Sequence, residues 1–322
     1  MKAITFHEFG GPEVLKLEEH PTPIAGSGLA LVKVAAAGVN FIDIYQRSGW
    51  YKVPLPAVPG NEGAGVVEAV GQGVTGVAIG ERVAWFGGSG CYAEYALVPI
   101  DKLATLPDAL SFEQGAAAMV QGITAYVLAH VTYPLKPGDT CLVHAAAGGV
   151  GLLLCQIAKQ SGAFVIGTTS TREKAALACA AGADEVILYT EQDFLEEVKR
   201  ITGGRGVNVV YDSVGKDTFD RSLDSLAPLG CLVSYGQSSG FPAPLDIQRL
   251  GGMRSAFVTR PSVFAYVQER AQYLAYARAV FDMAVAGTLT LRIGGSYPLA
   301  DAAKAQIALA GRQTAGKLVL LP

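Results

Sequence analysis

The segment His144-Ala145-Ala146-Ala147-Gly148-Gly149-Val150-Gly151 constrains the fold more than any other part of the chain. An apolar run ending at residue 144 precedes it, and a helical pattern from about 150 to 161 follows it. Gly148 and Gly151 take the second and third glycine positions of a strand–turn–helix junction, with Ala146 in place of the first. The middle glycine lets backbone N–H groups approach a pyrophosphate, and the helix start adds unpaired donors and a partial positive charge. Alone such a motif is weak; its meaning comes from the strand before it and the helix after it.

That context continues. Strands are predicted at 140–144, 164–167, 185–188, 207–212 and 231–235, with a sixth near 256–259. Between them lie helical patterns at 150–161, 173–181, 193–201 and 217–226. This alternation predicts a doubly wound parallel sheet with helices on both faces. A dinucleotide unit that takes NAD places a carboxylate at the end of its second strand to bond the ribose hydroxyls. Here the strand runs through Thr168 into Ser170, Thr171, Arg172 and Lys174, and Glu173 reads as a solvated helix position. Hydroxyls and cations suit a 2′-phosphate, so the expected cofactor is NADPH.

The rest of the chain has a different grammar. Short valine-rich runs at 30–37, 63–70, 82–85 and 93–98 are separated by glycine and proline turns, predicting a compact β-rich domain through residue 120. From Pro261 a helical pattern runs to residue 286. A strand-like segment at 290–297, a helix at 300–310 and a strand at 317–321 follow, and this tail is expected to rejoin the first domain. The division is 1–122 with 262–322 for the β-rich domain and 123–261 for the nucleotide domain. Glycine, at 39 of 322 residues, is well above its usual share of about 7%, which suits many tight turns and close backbone approach.

Composition removes several classes. Charged residues are 16% and hydrophobic ones 50%, which argues against disorder. A net charge of −3, with no basic stripe, gives no reason to expect a nucleic-acid partner. The N-terminus lacks the apolar core of an export signal, and the most apolar stretch, 141–158, carries His144 and three glycines. Membrane insertion is therefore not expected. Cys91, Cys141, Cys155, Cys179 and Cys231 lie far apart without a CxxC, as in a cytoplasmic protein with reduced thiols.

A β-rich domain, a nucleotide domain and a returning tail resemble the medium-chain dehydrogenase/reductase superfamily along essentially the whole chain. Zinc alcohol dehydrogenases of that superfamily carry a catalytic cysteine after a GV turn and a histidine in a GHE motif. Asn40 and Asn61 stand at those places here, no cysteine cluster follows Cys91, and amides are poor zinc ligands, so no metal is expected. The chain closely resembles the zinc-free, zeta-crystallin-like NADPH:quinone oxidoreductases. The resemblance is carried by GVNFIDIYQRSGWY (38–51), PGNEGAGVVEAVG (59–71), HAAAGGVG (144–151), VVYDSVG (209–215) and FVTRPS (257–262). It implies a GroES-like β-rich catalytic domain beside a Rossmann domain, and reduction of small quinones by NADPH.

The same resemblance implies roles. Asn40, Phe41, Ile42, Asp43 and Tyr45 match the segment at the nicotinamide end of the cleft, with Asn40, Asp43, Tyr45 and Tyr51 as the catalytic candidates. An aromatic ring at Tyr45 or Tyr51 can stack on a flat quinone, and a phenol can donate to its oxygen. Gln121, Thr124 and Tyr126 lie at the hinge. Gly148, Gly149 and Val150 are assigned to the pyrophosphate, and Ser170, Arg172 and Lys174, beyond Thr168, to the 2′-phosphate. Tyr189 is placed beside the adenine. Ser213, Gly236, Gln237 and Ser238 follow sheet strands, Phe257, Val258 and Thr259 approach the carboxamide, and Arg312 comes from the tail. His7, His20, His130 and His144 show no metal spacing, and His144 reads as a residue satisfying buried backbone.

The expected chemistry is direct hydride transfer from NADPH to a quinone. A zinc-free enoyl or enone reductase would share the fold and cofactor site and is the first alternative. A crystallin-like role, or binding of AU-rich RNA, is implied only by relatives. Pairing of the sixth strand with its copy would give a homodimer and cover a sheet edge.

Overall fold

The computed structural model describes residues 1–88, 90–252 and 254–322. The chain divides into two compact units, Met1–Ile123 with Val267–Pro322, and Thr124–Tyr266.

In the second unit the apolar runs become six parallel strands. In spatial order they are Glu185–Leu188, Phe164–Thr169, Thr140–Val143, Val207–Asp212, Leu226–Ser234 and Phe257–Thr259. Numbered along the chain this is 3-2-1-4-5-6, the doubly wound order, with its reversal between Thr140–Val143 and Val207–Asp212. Helices Gly149–Gln160, Arg172–Ala180, Phe194–Ile201 and Phe219–Asp224 connect the strands. Consecutive residues Val209 and Val210 are both fully buried, as a sheet covered on both faces requires. One core packs Leu142, Ile166, Ile187, Val210 and Leu232 against Phe194, Val198, Phe219 and Leu223.

In the first unit the central element is the eleven-residue strand Leu29–Val39. Along one edge it pairs antiparallel with Glu62–Val70. Antiparallel pairing is also made to Tyr95–Pro99 through residues 29–33 and to the C-terminal strand Lys317–Leu321 through residues 37–39. Arg82–Phe86, Leu103–Thr105 and Ile293–Pro298 complete this sheet, and Lys2–Thr5 pairs with Lys16–Glu19 in a small second one. Helix Arg270–Val285 buries Tyr273, Tyr276, Ala277, Val280 and Phe281, a spacing that puts all five on one face. The Tyr273 hydroxyl ties it to the strands, accepting from Phe86 N at 3.1 Å and donating to Lys102 O at 2.7 Å.

The elements depart from sequence expectation in physically legible ways. The β grammar assigned through residue 120 misses a helical run from Phe112 to Thr132. Its start was visible as Ser111-Phe-Glu-Gln: Ser111 Oγ accepts from Gln114 N, and Gln114 Oε1 accepts from Ser111 N at 2.9 Å, a reciprocal cap. Among the described residues this run, not 141–158, is the one helix long and apolar enough to cross a membrane; 67% of its apolar window is buried inside the structure, as in a core helix. Leu226–Ser234 begins five residues before the strand expected at 231, because a register shift lets Val207 pair with Leu226 and Val209 with Cys231. The helical pattern after Pro261 breaks into Val263–Tyr266 and Arg270–Val285. The segment after Gly38-Val39, to which the sequence pattern assigns no element, is a two-turn helix, Phe41–Arg47.

Candidate active site

The nucleotide candidates gather at the carboxyl ends of the parallel strands. After Thr140–Val143 the chain turns through Ala145, whose φ is +51°, and Gly148 N donates to Ala145 O at 2.8 Å. A Cβ on Gly151 would lie 2.2 Å from that same carbonyl oxygen, so only glycine lets the helix start this close to the turn. Gly148 caps helix Gly149–Gln160 without a side-chain bond, and Gly148, Gly149 and Val150 are half-buried. The first-turn N–H groups therefore form the kind of donor set that takes a pyrophosphate.

The corner beyond the second strand holds hydroxyls and cations. Thr171 accepts from Lys174 N and starts helix Arg172–Ala180. Lys174 is partly buried, which lowers its ammonium below the usual lysine range. Arg172 is exposed and lies 3.5 Å from Glu191, a loose surface pair worth little. Ser170 is half-buried, and Tyr189, whose N donates to Thr169 O at 3.1 Å, is exposed at the neighbouring strand end. Ser170, Arg172 and Lys174 thus fit a 2′-phosphate, and the glycine turn fits the pyrophosphate of the same dinucleotide.

Other nucleotide candidates are placed differently. Thr168 is buried, and its Oγ1 lies 3.0 Å from His144 Nδ1. His144 Nε2 lies 2.9 Å from Ser222 Oγ, which donates to Asp212. His144 therefore joins side chains across the sheet, rather than satisfying backbone groups as expected. Burial lowers its pKa, with the Asp212 charge opposing. Asp212, not singled out in the sequence, is the hub of the fourth strand end, accepting from Val214 N, Gly215 N and the hydroxyls of Thr218 and Ser222. Its own carbonyl receives Tyr235 N, and Ser213 O receives Ser238 N, so Ser213, Gly236 and Ser238 form one packed loop pair. Gln237 is buried, its Oε1 accepting from Arg260 at 3.0 Å. Phe257, Val258 and Thr259 form the sheet's edge strand, with Phe257 exposed. Thr124 and Tyr126 belong to this unit, and the Tyr126 ring packs 4.6 Å from His130.

In the first unit the two asparagines at the metal-ligand positions join a closed polar network. Asn40 Nδ2 donates to Glu62 Oε1 at 2.6 Å, and Asn40 Oδ1 accepts from Lys317 Nζ at 2.9 Å. Lys317 also donates to Glu62, both side chains being essentially inaccessible to water. The second Glu62 oxygen accepts from Val120 N at 2.6 Å. Asn61 donates from one amide nitrogen to Asp43 at 2.8 Å and to Gln46 at 2.9 Å. Both ends of the Asn40 amide and the amide nitrogen of Asn61 are thereby bonded within the protein. Among the described residues no three His, Cys, Asp or Glu side chains are grouped as a metal site.

Asp43 sits at the centre. Its carboxylate accepts from Asn40 N at 2.8 Å, from Asn61 and from the Tyr92 hydroxyl at 3.0 Å. Burial outweighs these bonds and pushes its pKa up to about 6. Phe41 and Ile42 are half-buried on the same helix, and Gln121 is half-buried in the helical run after Phe112. Tyr45 is almost fully buried and Tyr51 is exposed. Arg312 is exposed, with φ +55°, just past helix Ala302–Ala310. Lys317 carried no signal in the sequence, because its partner Asn40 lies 277 residues away.

Two outcomes follow from these burials. Lys317→Met leaves the Glu62 charge buried without its cation, and urea unfolding should show a loss of about 3–5 kcal/mol, with much of it recovered in the Glu62→Gln, Lys317→Met double variant. An equal loss in the double variant would contradict this. Asp43 binds its proton more tightly folded than unfolded, so its contribution is intact below about pH 4 and is lost as pH rises to about 6. The full change is about 3 kcal/mol. Between pH 4 and 7 the wild type should therefore lose more stability than Asp43→Asn; parallel pH curves would contradict it.

The comparisons with known proteins agree with this construction. The family model of the alcohol dehydrogenase GroES-like domain matches residues 26–108, and that of the zinc-binding dehydrogenase matches residues 149–277. A quinone oxidoreductase of Pseudomonas aeruginosa is 45% identical over 100% of this chain and 99% of its own. A 2-haloacrylate reductase of Burkholderia sp is 42% identical over 99% of this chain and 98% of its own. The solved structure of Escherichia coli quinone oxidoreductase complexed with NADPH superposes with a TM-score of 0.97, at 43% identity, covering 100% of both chains. With a GroES-like unit, a Rossmann unit and identity extending over the full length, the chain belongs to the zeta-crystallin-like quinone oxidoreductases of the medium-chain dehydrogenase/reductase superfamily.

Proposed function

We propose that the chain is an NADPH-dependent quinone oxidoreductase. The observation that carries this is full-length similarity to a quinone oxidoreductase solved with NADPH, in a chain that keeps donors for both phosphate groups. When bound, NADPH supplies hydride from C4 of its nicotinamide; a proton completes the hydroquinone. Gly148, Gly149 and Val150 hold the pyrophosphate, and Ser170, Arg172 and Lys174 hold the 2′-phosphate. Tyr189, Ser213, Gly236, Ser238 and Thr259 frame the remaining strand ends.

Asn40 and Asp43 act as a pre-set floor in the catalytic unit. Their hydrogen bonds to Glu62, Lys317 and Asn61 fix helix Phe41–Arg47, and with it Tyr45 and Tyr51. Asp43, fully buried and with its pKa raised to about 6 by desolvation, accepts from Asn40 N, Asn61 and the Tyr92 hydroxyl and acts as a positioning residue for the helix start. The Tyr51 phenol is exposed and suited to donating to a quinone oxygen.

The 2-haloacrylate reductase among the relatives favours a second reading, reduction of an activated C=C bond with the same hydride donor. Steady-state NADPH oxidation with 1,4-benzoquinone, 9,10-phenanthrenequinone, 2-chloroacrylate and an alkyl enone separates the two. Quinone turnover should exceed the others, and replacing Arg172 and Lys174 by Ala should raise the KM for NADPH at least tenfold with little change for NADH. Turnover confined to the acrylate or enone would support the second reading.

The enzyme is further proposed to be cytoplasmic and to act on a small molecule rather than a nucleic acid, as its net charge of −3 suits. The edge strand Phe257–Thr259, with Phe257 59% exposed, offers a surface for a second copy. Light scattering at micromolar concentration should give twice the chain mass of 33.5 kDa; the monomer mass would contradict the dimer.

A further inference from the structure

Four buried side chains at the carboxyl ends of the parallel strands form one continuous string. Asp212 ends the fourth strand, Ser222 lies on helix Phe219–Asp224, His144 follows the first strand, and Thr168 lies near the end of the second. Each is at most 2% exposed. Ser222 Oγ lies 2.9 Å from Asp212 Oδ2 and 2.9 Å from His144 Nε2, and His144 Nδ1 lies 3.0 Å from Thr168 Oγ1.

Chemistry gives the string a direction. A carboxylate only accepts, so Ser222 uses its single proton on Asp212 and must accept from the imidazole. His144 therefore carries its proton on Nε2. Burial lowers its pKa, so the ring is neutral at pH 7, and Nδ1 is left to accept from the Thr168 hydroxyl. The Phe194 ring meets the imidazole edge-on, with centroids 4.9 Å apart.

The backbone just beyond His144 is strained. Ala145 holds φ +51°, a left-handed conformation that a residue with a Cβ adopts at a cost and keeps only where its surroundings fix it. The turn is gripped on both sides: His144 N donates to Tyr211 O, and Ala146 N donates to Thr168 O, each at 3.0 Å. His144 and Thr168, on either side of Ala145, are also the residues whose side chains bond to one another. Gly148 N donates to the Ala145 carbonyl at 2.8 Å, so a shift at Ala145 passes directly to the start of helix Gly149–Gln160.

We infer that the string from Asp212 through Ser222 and His144 to Thr168 holds Ala145 in its left-handed conformation, making His144 a positioning residue for the pyrophosphate of the dinucleotide. This rests on the dinucleotide reading of the glycine turn. His144 acts through the backbone: it fixes the turn that sets the direction of the Gly148, Gly149 and Val150 N–H groups. Donors aligned before the ligand arrives need no ordering when it binds. Asp212 acts one link further away, by deciding which imidazole nitrogen bears the proton.

The test measures NADP+ binding to the whole chain by titration calorimetry, which does not depend on turnover. His144→Leu, and Thr168→Val as a change of nearly the same shape, should each raise the dissociation constant about tenfold or more. Misfolded chains would lower the stoichiometry and leave the constant unchanged, so the two effects separate. Adding Ala145→Gly to His144→Leu should return most of the affinity, since glycine takes the left-handed conformation without steric cost. A wild-type constant in either single variant overturns the proposal, and so does a loss in His144→Leu that Ala145→Gly leaves untouched. Nitrogen-15 NMR reads the string itself. The wild type should show His144 with a protonated Nε2 and a bare Nδ1, its signals identified by their absence from His144→Leu. In Asp212→Asn, Val214 N and Gly215 N retain the amide oxygen, which turns the amide nitrogen toward Ser222 as a donor. Ser222 then donates to His144, and the ring proton should move to Nδ1. A ring that keeps its proton on Nε2 in Asp212→Asn overturns the role given to Asp212. Should the wild type bind neither NADP+ nor NADPH, the cofactor reading falls, while the ring proton in the wild type and in Asp212→Asn still decides the string.

Discussion

Lys317 and Glu62 are brought together from positions 255 residues apart, and the first unit is organised around their meeting. Neither side chain reaches water. Removing two charges from water costs several kcal/mol per ion, which their attraction offsets only when the geometry is good and the remaining donors and acceptors are used. Here they are used: Asn40 bonds both partners, Val120 N takes the second carboxylate oxygen, and Val39 O lies 3.4 Å from the ammonium. The pair therefore does more to specify register than to add stability. It sets the C-terminal strand against Leu29–Val39, with Leu318 opposite Val39, and it anchors the residue from which helix Phe41–Arg47 starts.

From that anchor the rest of the polar network follows by short steps. Asn40 N is held by Asp43, Asp43 by Asn61 and Tyr92, and the helix they begin ends in the turn that stacks Trp50 on Tyr45. A charged group at one end of the network and an aromatic surface at the other are joined by a two-turn helix. The nucleotide unit has a comparable hub in Asp212, whose carboxylate orders the loop after the fourth strand and, through Ser222, reaches His144 at the end of the first. In both units buried polar groups hold the loops, so that the donors meant for a ligand are left at the strand ends.

Much of the nucleotide unit was legible because its signals are local. A strand, a glycine turn and a helix lie within about twenty residues, and the absence of a carboxylate after the second strand can be read directly. Even there, the wide strand Leu226–Ser234 was read short, since its first residues pair through a shifted register that no local pattern reports. The first unit was less legible. Its helix Phe41–Arg47 is only seven residues long, and the helix starting after Ser111 was hidden by the surrounding strands although its capping residues were visible.

By itself the sequence determined the class of fold, the NADPH cofactor and the presence of Asn40 and Asn61 where the zinc enzymes carry ligands, all of which depend on residue type and short spacing. It did not determine what those asparagines bond. Tertiary structure alone decided that, by bringing Lys317 from the far end of the chain to Glu62 and Asn40. It also decided that Tyr45 is covered and Trp50 exposed, although the two are five residues apart. The reason is common to both cases. Burial and pairing are properties of the whole packed chain, so the same residue type can be a ligand contact or a structural strut according to what the fold places beside it.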